Sequence, residues 1–230
     1  LPEDYDPDER VGVQIAYAAQ VALLDRCLAP LLERLLEIPA DRAPAVIFCG
    51  ARGYPLGEHR QVGLFQPLPH EESLHVPCLV RLPDGRGAAM RSHALSRPAD
   101  LFATLAAWYA LPVEPTPAGA CWLPILDLQS HQLHDWIALE HEGLQALRTP
   151  GWFARWPSGQ SDHPGGSDDA DANVQLYVKP DDRWEHNDVA DRCPQIVELL
   201  RKLAADIDEA ARAGRVPQVP LDPRLLTGPE

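Results

Sequence analysis

A short apolar run at residues 45–49 (AVIFC) constrains the fold more than any other segment of the chain. The run shows no polar alternation and leads directly into a glycine-containing turn. Both features are typical of a strand that is buried on two faces, as in a parallel sheet covered by helices. A second candidate strand spans residues 75–82, with Pro77 near its start, where a missing N–H is tolerated. The pattern predicts an α/β fold with a mostly parallel sheet.

Three segments have the apolar spacing of amphipathic helices, at residues 11–35, 98–109 and 194–214. The first of them contains Pro30. Because proline lacks an N–H and its ring clashes with the preceding turn, we expect a kink or break near Ala29.

The chain changes character after Pro112, where prolines at 112, 115 and 117 predict a linker. Candidate strands follow at residues 136–142, 144–156 and 174–178. We therefore expect two domains: residues 1–117 form the α/β part, and residues 118–230 form a small antiparallel sheet with a C-terminal helix. Residues 158–171 are rich in Gly, Ser and Asp and predict a loop without a core of its own.

Charge and cysteine usage exclude some classes of function. The chain has 20 basic and 34 acidic residues, a formal net charge of −14, which repels nucleic acid and anionic membranes. No continuous apolar run approaches the roughly 18 residues of a membrane span, and no signal segment is visible at the N-terminus. We expect a soluble protein, in a compartment that the sequence leaves open. The five cysteines lack C-x-x-C spacing, and Cys49 and Cys78 are expected to be buried thiols.

Several segments, in order, resemble the second half of a sulfatase, a family of the alkaline-phosphatase superfamily. Residues 17–36 resemble the helix before the family's metal-binding strand. Residues 46–53 (VIFCGARG) and 56–59 (LGEH) are similar to that strand, its T-S-D-H-G turn and the L-G-E-H continuation. Residues 71–81 (EESLHVPCLVR) resemble Y-E-E-S-x-R-V-P-L-I-V, and residues 100–105 (DLFATL) resemble D-L-x-P-T-L.

The later part of the chain continues the resemblance. Residues 146–152 (ALRTPGW) are similar to the A-[IV]-R-T-x-x-[WY]-K strand of the family's small C-terminal domain. Residues 175–177 (QLY) and 185–190 (EHNDVA) resemble the end of that domain. The order and spacing of these motifs extend the resemblance over roughly residues 11–210.

The resemblance implies a chemistry that this chain does not carry in full. Sulfatases hydrolyse sulfate esters with a formylglycine made from the cysteine of a C-x-P-x-R motif, and they bind calcium partly through the turn. None of the five cysteines lies in such a motif. The two metal-ligand positions of the turn are Ala51 and Arg52, and no lysine between His59 and Glu71 matches the family's sulfate-binding lysine. We therefore expect no metal and no cofactor, although the family uses calcium.

Two residues remain candidates for anion binding, Arg52 and His59. The Arg52 guanidinium can replace the cation by pairing with carboxylates, or it can simply point to solvent. His59, together with Glu58, can contact an anion or donate a proton, or can hold the loop in place.

Two other groups of side chains have residue types that are common among metal ligands. His131 and His134 lack a third ligand at helical spacing, so a zinc site is not expected there. The acidic residues Asp168, Asp169 and Asp171 lack the glycine and glutamate of a calcium loop and are interpreted as a solvated loop.

Three functions stay open from the sequence. The first is a degenerate sulfatase-like protein without turnover. The second is one portion of a sulfuric-ester hydrolase whose catalytic N-terminal half is on a separate chain. The third is a carbohydrate- or protein-binding module that uses the tryptophans of the second domain, Trp136, Trp152, Trp156 and Trp184, as stacking surfaces.

Overall fold

The computed structural model describes residues 6–63, 70–112, 119–141, 143–158, 174–215 and 219–228. The chain forms two compact units, Leu1–Ala89 and Met90–Glu230. The predicted domain boundary at residue 117 lies outside the described residues, as do linker prolines 115 and 117, and it stays a prediction. Residues 159–171 of the predicted loop also lie outside the described residues.

Among its described residues, the first unit contains one long helix and four short regular elements. In chain order they are α1 (Pro7–Leu36), β1 (Val46–Cys49), a 3-10 turn (Glu58–Arg60), α2 (Glu71–Leu74) and β2 (Cys78–Arg81). Asp6 caps α1 by accepting a hydrogen bond of 2.9 Å from the N–H of Asp8. The predicted break near Ala29 is wrong, since α1 continues through Pro30 to Leu36. One lost hydrogen bond is outweighed here by the surrounding Leu and Ala residues, which are strong helix formers.

Most of the large apolar side chains of α1 are exposed in this structure. None of its residues is buried, and the exposed large apolar side chains on it are Val11, Ile15, Tyr17, Val21, Leu23, Leu24, Leu31, Leu32 and Leu36. An 18-residue window of α1 has a mean hydropathy of 1.4. By length and composition, the helix could cross a membrane. The core helix of a soluble protein can have the same length and hydropathy. The expectation of no membrane span stays a prediction.

The strands of the first unit pair in a way that differs from the prediction. β1 and β2 are antiparallel, with Val46 opposite Arg81 and Cys49 opposite Cys78. No parallel pair occurs among the described residues, so the mostly parallel sheet is not seen in this part of the chain. The predicted burial of β1 is also wrong for these residues, because Phe48 is 40% exposed and both cysteines are exposed. A continuous apolar run indicates a strand that is buried on both faces, but it does not predict which strand pairs with it.

The second unit matches the predicted antiparallel domain with a C-terminal helix. Its elements are α3 (Pro98–Trp108), α4 (Leu123–Leu126), β3 (Ile137–His141), β4 (Leu144–Arg148), β5 (Trp152–Pro157), β6 (Gln175–Val178), a 3-10 turn (Ala190–Arg192), α5 (Pro194–Arg212) and a second such turn (Pro223–Leu225). The sheet order is β3-β4-β5-β6, and each neighbouring pair is antiparallel.

The single strand predicted over residues 144–156 is wrong, because two strands occupy it. β4 ends at Arg148 and β5 begins at Trp152. The N–H of Thr149 donates to the Trp152 carbonyl at 2.9 Å, which closes a tight turn through Pro150 and Gly151. A Pro-Gly pair marks a turn by its backbone preferences, and the apolar residues on both sides hid that signal.

The core of the second unit lies between the sheet and α5. The buried face of α5 is Ile196, Leu200, Leu203 and Ile207, at the spacing of one helical face. It packs on the buried sheet residues Leu147, Trp152, Ala154, Trp156 and Leu176. Leu225 completes this cluster, and its carbonyl accepts a hydrogen bond of 2.7 Å from the Thr149 hydroxyl. The C-terminal segment is thereby tied to the sheet.

The antiparallel register of β1 and β2 predicts a specific disulfide. The N–H of Gly50 donates to the Pro77 carbonyl at 2.9 Å, so Cys49 and Cys78 are the next, non-hydrogen-bonded pair. Such pairs have Cα atoms about 4.5 Å apart, at the short end of disulfide geometry. We expect oxidised glutathione to form a Cys49–Cys78 bond by two thiol–disulfide exchanges, releasing two glutathione thiols. Although Cys78 is exposed, the partial desolvation of its thiol, and then the nearby Cys49, raise its pKa above the ordinary value, so the reaction accelerates as the pH rises.

Peptide mapping of the oxidised chain by mass spectrometry checks this register, with Cys49→Ser as the matched control. A parallel register would place Cys49 beside Arg81, about 10 Å along the strand from Cys78. Linkage of either cysteine to another thiol, with no Cys49–Cys78 peptide, contradicts the register.

Candidate functional site

The turn that follows β1 is held against α2 by backbone contact. The N–H of Gly53 donates to the Ser73 carbonyl at 3.1 Å. A Cβ atom at Gly53 would lie 1.8 Å from the Glu72 carbonyl oxygen and 2.6 Å from the Cα of Ser73. Only glycine fits such an approach of two backbones. The turn and α2 therefore form one local structure, which fixes the position of the Glu72 backbone and so the start of its side chain.

Residues 54–63 form a closed loop beside this turn. Leu56 and Val62 form an antiparallel bridge, and the Gly57 N–H donates to the Gln61 carbonyl at 2.7 Å. The Glu58 carboxylate accepts a hydrogen bond of 2.6 Å from the Leu56 N–H. Glu58 thus holds the loop in place, which was one of its two predicted roles.

The two residues that the resemblance places at metal-ligand positions, Ala51 and Arg52, carry no oxygen donor on their side chains. Ala51 and Arg52 are both exposed. Calcium requires six to eight oxygen ligands, whereas a methyl group supplies none and a guanidinium carries a positive charge. The donor set at these two positions therefore does not fit the calcium that the resemblance implies.

One of the two alternatives for Arg52, pairing with carboxylates, is not seen in the part of the chain that the structure describes. No hydrogen bond or ion pair of its guanidinium is present there, and the turn is closed instead by the N–H groups of Gly50 and Gly53. An anion-binding role for Arg52 stays a prediction.

His59 lies in a cluster with two side chains that the sequence reasoning did not select. Its Nδ1 lies 2.9 Å from Oε1 of Glu72, and its ring stacks on His70 with the ring centroids 3.4 Å apart. His70 is 2% exposed. One ligand atom from each of the three residues lies within 4.8 Å of the others. The negative charge of the Glu72 carboxylate beside His59 favours the binding of cations over anions here. An anion-binding role for His59 stays a prediction.

The sequence offered little sign of this cluster. His59 and His70 are eleven positions apart and joined by a loop, so no helical or strand period relates them. Residues 64–69, including Gln66, Pro67 and Pro69, lie outside the described residues, as do Asp168, Asp169 and Asp171. The resemblance marked residues 71–73 (EES) as part of a motif, but it predicted no contact between them and His59.

In the second unit, Asp100 forms a buried polar network. Its side chain is fully buried and accepts hydrogen bonds of 2.8 Å from the N–H groups of Arg97 and Ala120. His134 Nε2 lies 2.8 Å from Oδ1 of Asp100, and His131 is exposed. These contacts satisfy the carboxylate and fix the start of α3. The contacts of its two ring nitrogens with Asp100 and Arg97 give His134 a structural role at the start of α3.

The tryptophans of the second unit are mainly core residues. Trp152 and Trp156 are each 2% exposed, and Trp136 packs against the same core cluster. Trp184 is 47% exposed and has the Arg183 guanidinium 5.0 Å from its ring centroid. Because Trp152 and Trp156 are buried, the four rings together do not form an exposed stacking surface.

The chain is similar in structure to solved sulfatases. A structure from the glycosaminoglycan metabolism of Bacteroides thetaiotaomicron (BT33336S-sulf) matches with a TM-score of 0.62 and 22% identity, over 80% of this chain and 42% of that one. BT4656, solved in complex with its substrate D-glucosamine-2-N,6-O-disulfate, matches with 0.66 and 18% identity, over 88% of this chain and 42% of that one. The putative sulfatase yidJ from Bacteroides fragilis matches with 0.55 and 19% identity, over 74% and 36% of the respective chains.

These likenesses confirm the predicted sulfatase-like fold. The chain spans less than half the length of these proteins, 36% to 42%. No protein-family model matches the sequence, and no curated protein is similar to it at a significant level.

Because Gly53 contacts the backbone of α2 and a Cβ atom at Gly12 would lie in open space, alanine at these two positions should change the stability in opposite directions. Gly53→Ala should destabilise the chain by about 1–3 kcal/mol or more, because the new methyl group overlaps backbone atoms. Gly12→Ala in α1 has nothing within 4 Å of the added Cβ and should stabilise by up to about 1 kcal/mol. Urea unfolding followed by circular dichroism measures both. Equal stability of the two variants would contradict the backbone contact.

Proposed function

We propose that this chain is the C-terminal portion of a sulfatase-like protein and that its own residues do not constitute a sulfate-ester hydrolysis site. The observation that carries the proposal is the pair Ala51 and Arg52, exposed in a turn whose backbone is otherwise well formed. The turn keeps the glycine that its geometry needs but not the oxygen ligands that a calcium ion needs.

The remaining requirements of the reaction point in the same direction. A sulfatase attacks sulfur with a hydrated formylglycine, and none of the five cysteines here lies in C-x-P-x-R. A bound cation or a lysine stabilises the sulfate oxygens as negative charge develops. This chain has only two lysines, Lys179 and Lys202. Lys179 is in the second unit, where its Nζ lies 3.1 Å from the Glu185 carboxylate and both side chains are 1% exposed.

In this proposal β1 and β2 are the edge of a larger, mostly parallel sheet. The other strands would come from the part of the sulfatase-like fold that this chain does not contain, either in the same polypeptide or in a separate one. The antiparallel pairing of β1 and β2 supports an edge position, because mostly parallel sheets often carry an antiparallel strand there.

A second candidate function is one portion of a sulfuric-ester hydrolase, completed by a chain or segment that carries C-x-P-x-R. The observation that favours it is the uncovered apolar surface of the first unit, where Leu31, Leu36 and Leu79 are each at least 55% exposed. Exposed apolar area of this kind indicates a missing partner surface. Ala51 and Arg52 would still leave the completed protein with a deficient metal site, so we place this candidate second.

The first proposal predicts that the purified chain releases no sulfate. We would incubate it with D-glucosamine-2-N,6-O-disulfate, the substrate of BT4656, and measure sulfate by ion chromatography, with an active sulfatase as the positive control. Release should equal the buffer blank, and millimolar calcium should leave it unchanged because the turn supplies no oxygen ligands.

A double variant, Ala51→Asp with Arg52→Asn, serves as the matched control. It replaces a cation and a methyl group with oxygen ligands and should bind calcium more tightly than the natural chain. It should still release no sulfate, because the nucleophile is absent. Sulfate release by the natural chain above the blank would contradict the proposal.

A further inference from the structure

We infer that His59, His70 and Glu72 form a binding site for a divalent metal ion of the zinc type. This site uses different residues from the degenerate calcium turn, and it is independent of sulfate-ester hydrolysis. Among the residues that the structure describes, they are the group of His, Cys, Asp and Glu side chains whose ligand atoms converge within 4.8 Å.

The spacing of the three ligands is close to that of a zinc site. With ligand bonds of about 2.0–2.1 Å, two ligand atoms of a tetrahedral zinc lie about 3.3 Å apart. His59 Nδ1 and Glu72 Oε1 are 2.9 Å apart, so a small outward movement of the side chains suffices. The two imidazole rings are stacked within 9° of parallel, and they must tilt apart to direct one nitrogen each at a common ion.

Glu72 supplies the second, independent observation. Its side chain is 6% exposed, and its Oε2 atom is buried with no hydrogen-bond partner among the residues that the structure describes. A buried carboxylate oxygen that lacks a partner is unfavourable, because its lost hydration is not replaced. A bound cation would satisfy this oxygen and would neutralise the carboxylate charge at the same time.

The ligand chemistry selects the class of metal. Two imidazoles and one carboxylate suit zinc and its transition-metal neighbours, whereas calcium and magnesium prefer oxygen ligands. Three protein ligands also leave a fourth position open to water or another ligand. A zinc-type ion is therefore the expected occupant, and calcium is not.

The local backbone prepares the site. Gly53 contacts the backbone at Glu72 directly, which fixes the start of that side chain. His59 has φ 48°, a left-handed conformation that non-glycine residues seldom adopt. This conformation turns the His59 side chain towards α2, where its ring meets both partners.

The experiment is a zinc titration of the full, tag-free chain by isothermal calorimetry, after removal of metal with a chelator. We expect one zinc per chain, with affinity in the micromolar range or tighter. Glu72→Gln keeps the size of the side chain and His59→Asn tolerates the left-handed backbone, and each should weaken zinc binding by more than about tenfold because one ligand is lost. At the same zinc concentration, zinc should also raise the melting temperature of the natural chain by more than it raises that of these variants.

His75→Asn is the matched control, because His75 makes a comparable contact, 2.6 Å from Glu71, without a third ligand. It should bind zinc as the natural chain does. Two results would overturn the inference: absence of stoichiometric zinc binding by the folded natural chain, or binding that is unaffected by both Glu72→Gln and His59→Asn. Circular dichroism of each variant establishes that a loss of binding is not a loss of folding.

Discussion

The contact between the Gly53 turn and the backbone of α2 organises the first unit, and the candidate sites depend on it. Without a side chain at Gly53, the turn approaches α2 closely enough for a hydrogen bond to the Ser73 carbonyl. That approach brings Glu72 beside the loop that carries His59. The same turn leaves Ala51 and Arg52 exposed. One backbone arrangement thus brings together the imidazoles and the carboxylate of the proposed metal site, while the side chains of Ala51 and Arg52 offer no oxygen ligand.

The two units differ in how fully they bury their apolar residues. In the second unit, α5 covers one face of a four-stranded sheet, and Leu147, Leu176 and Leu200 are almost completely buried. In the first unit α1 has no buried residue. At about 25 cal/mol per Å², uncovered apolar area of this kind is a substantial lost stabilisation. We therefore interpret α1 and the β1–β2 pair as surfaces that the rest of a sulfatase-like fold covers.

The sequence predicted features that depend on the residue pattern of a single segment. It did not predict features that depend on contact between two segments far apart in the chain. The face of α5 repeats at helical spacing, so its residues were predictable from Ile196 onward. The antiparallel pairing of β1 with β2 was not predictable, because an apolar run does not indicate which strand lies beside it. The cluster of His59, His70 and Glu72 depends on a loop closure and a glycine contact, which leave no periodic pattern. The substitutions Ala51 and Arg52 were readable because a family resemblance gave those positions a meaning.

The most direct test of the central claim, that the apolar surface of the first unit is covered by the rest of a sulfatase-like fold, is native mass spectrometry of the protein isolated from its source. We expect a species heavier than 25.4 kDa, in which this sequence occurs together with a sulfatase-like N-terminal portion, in one polypeptide or in a complex. A lone species of 25.4 kDa with no associated chain would contradict that claim.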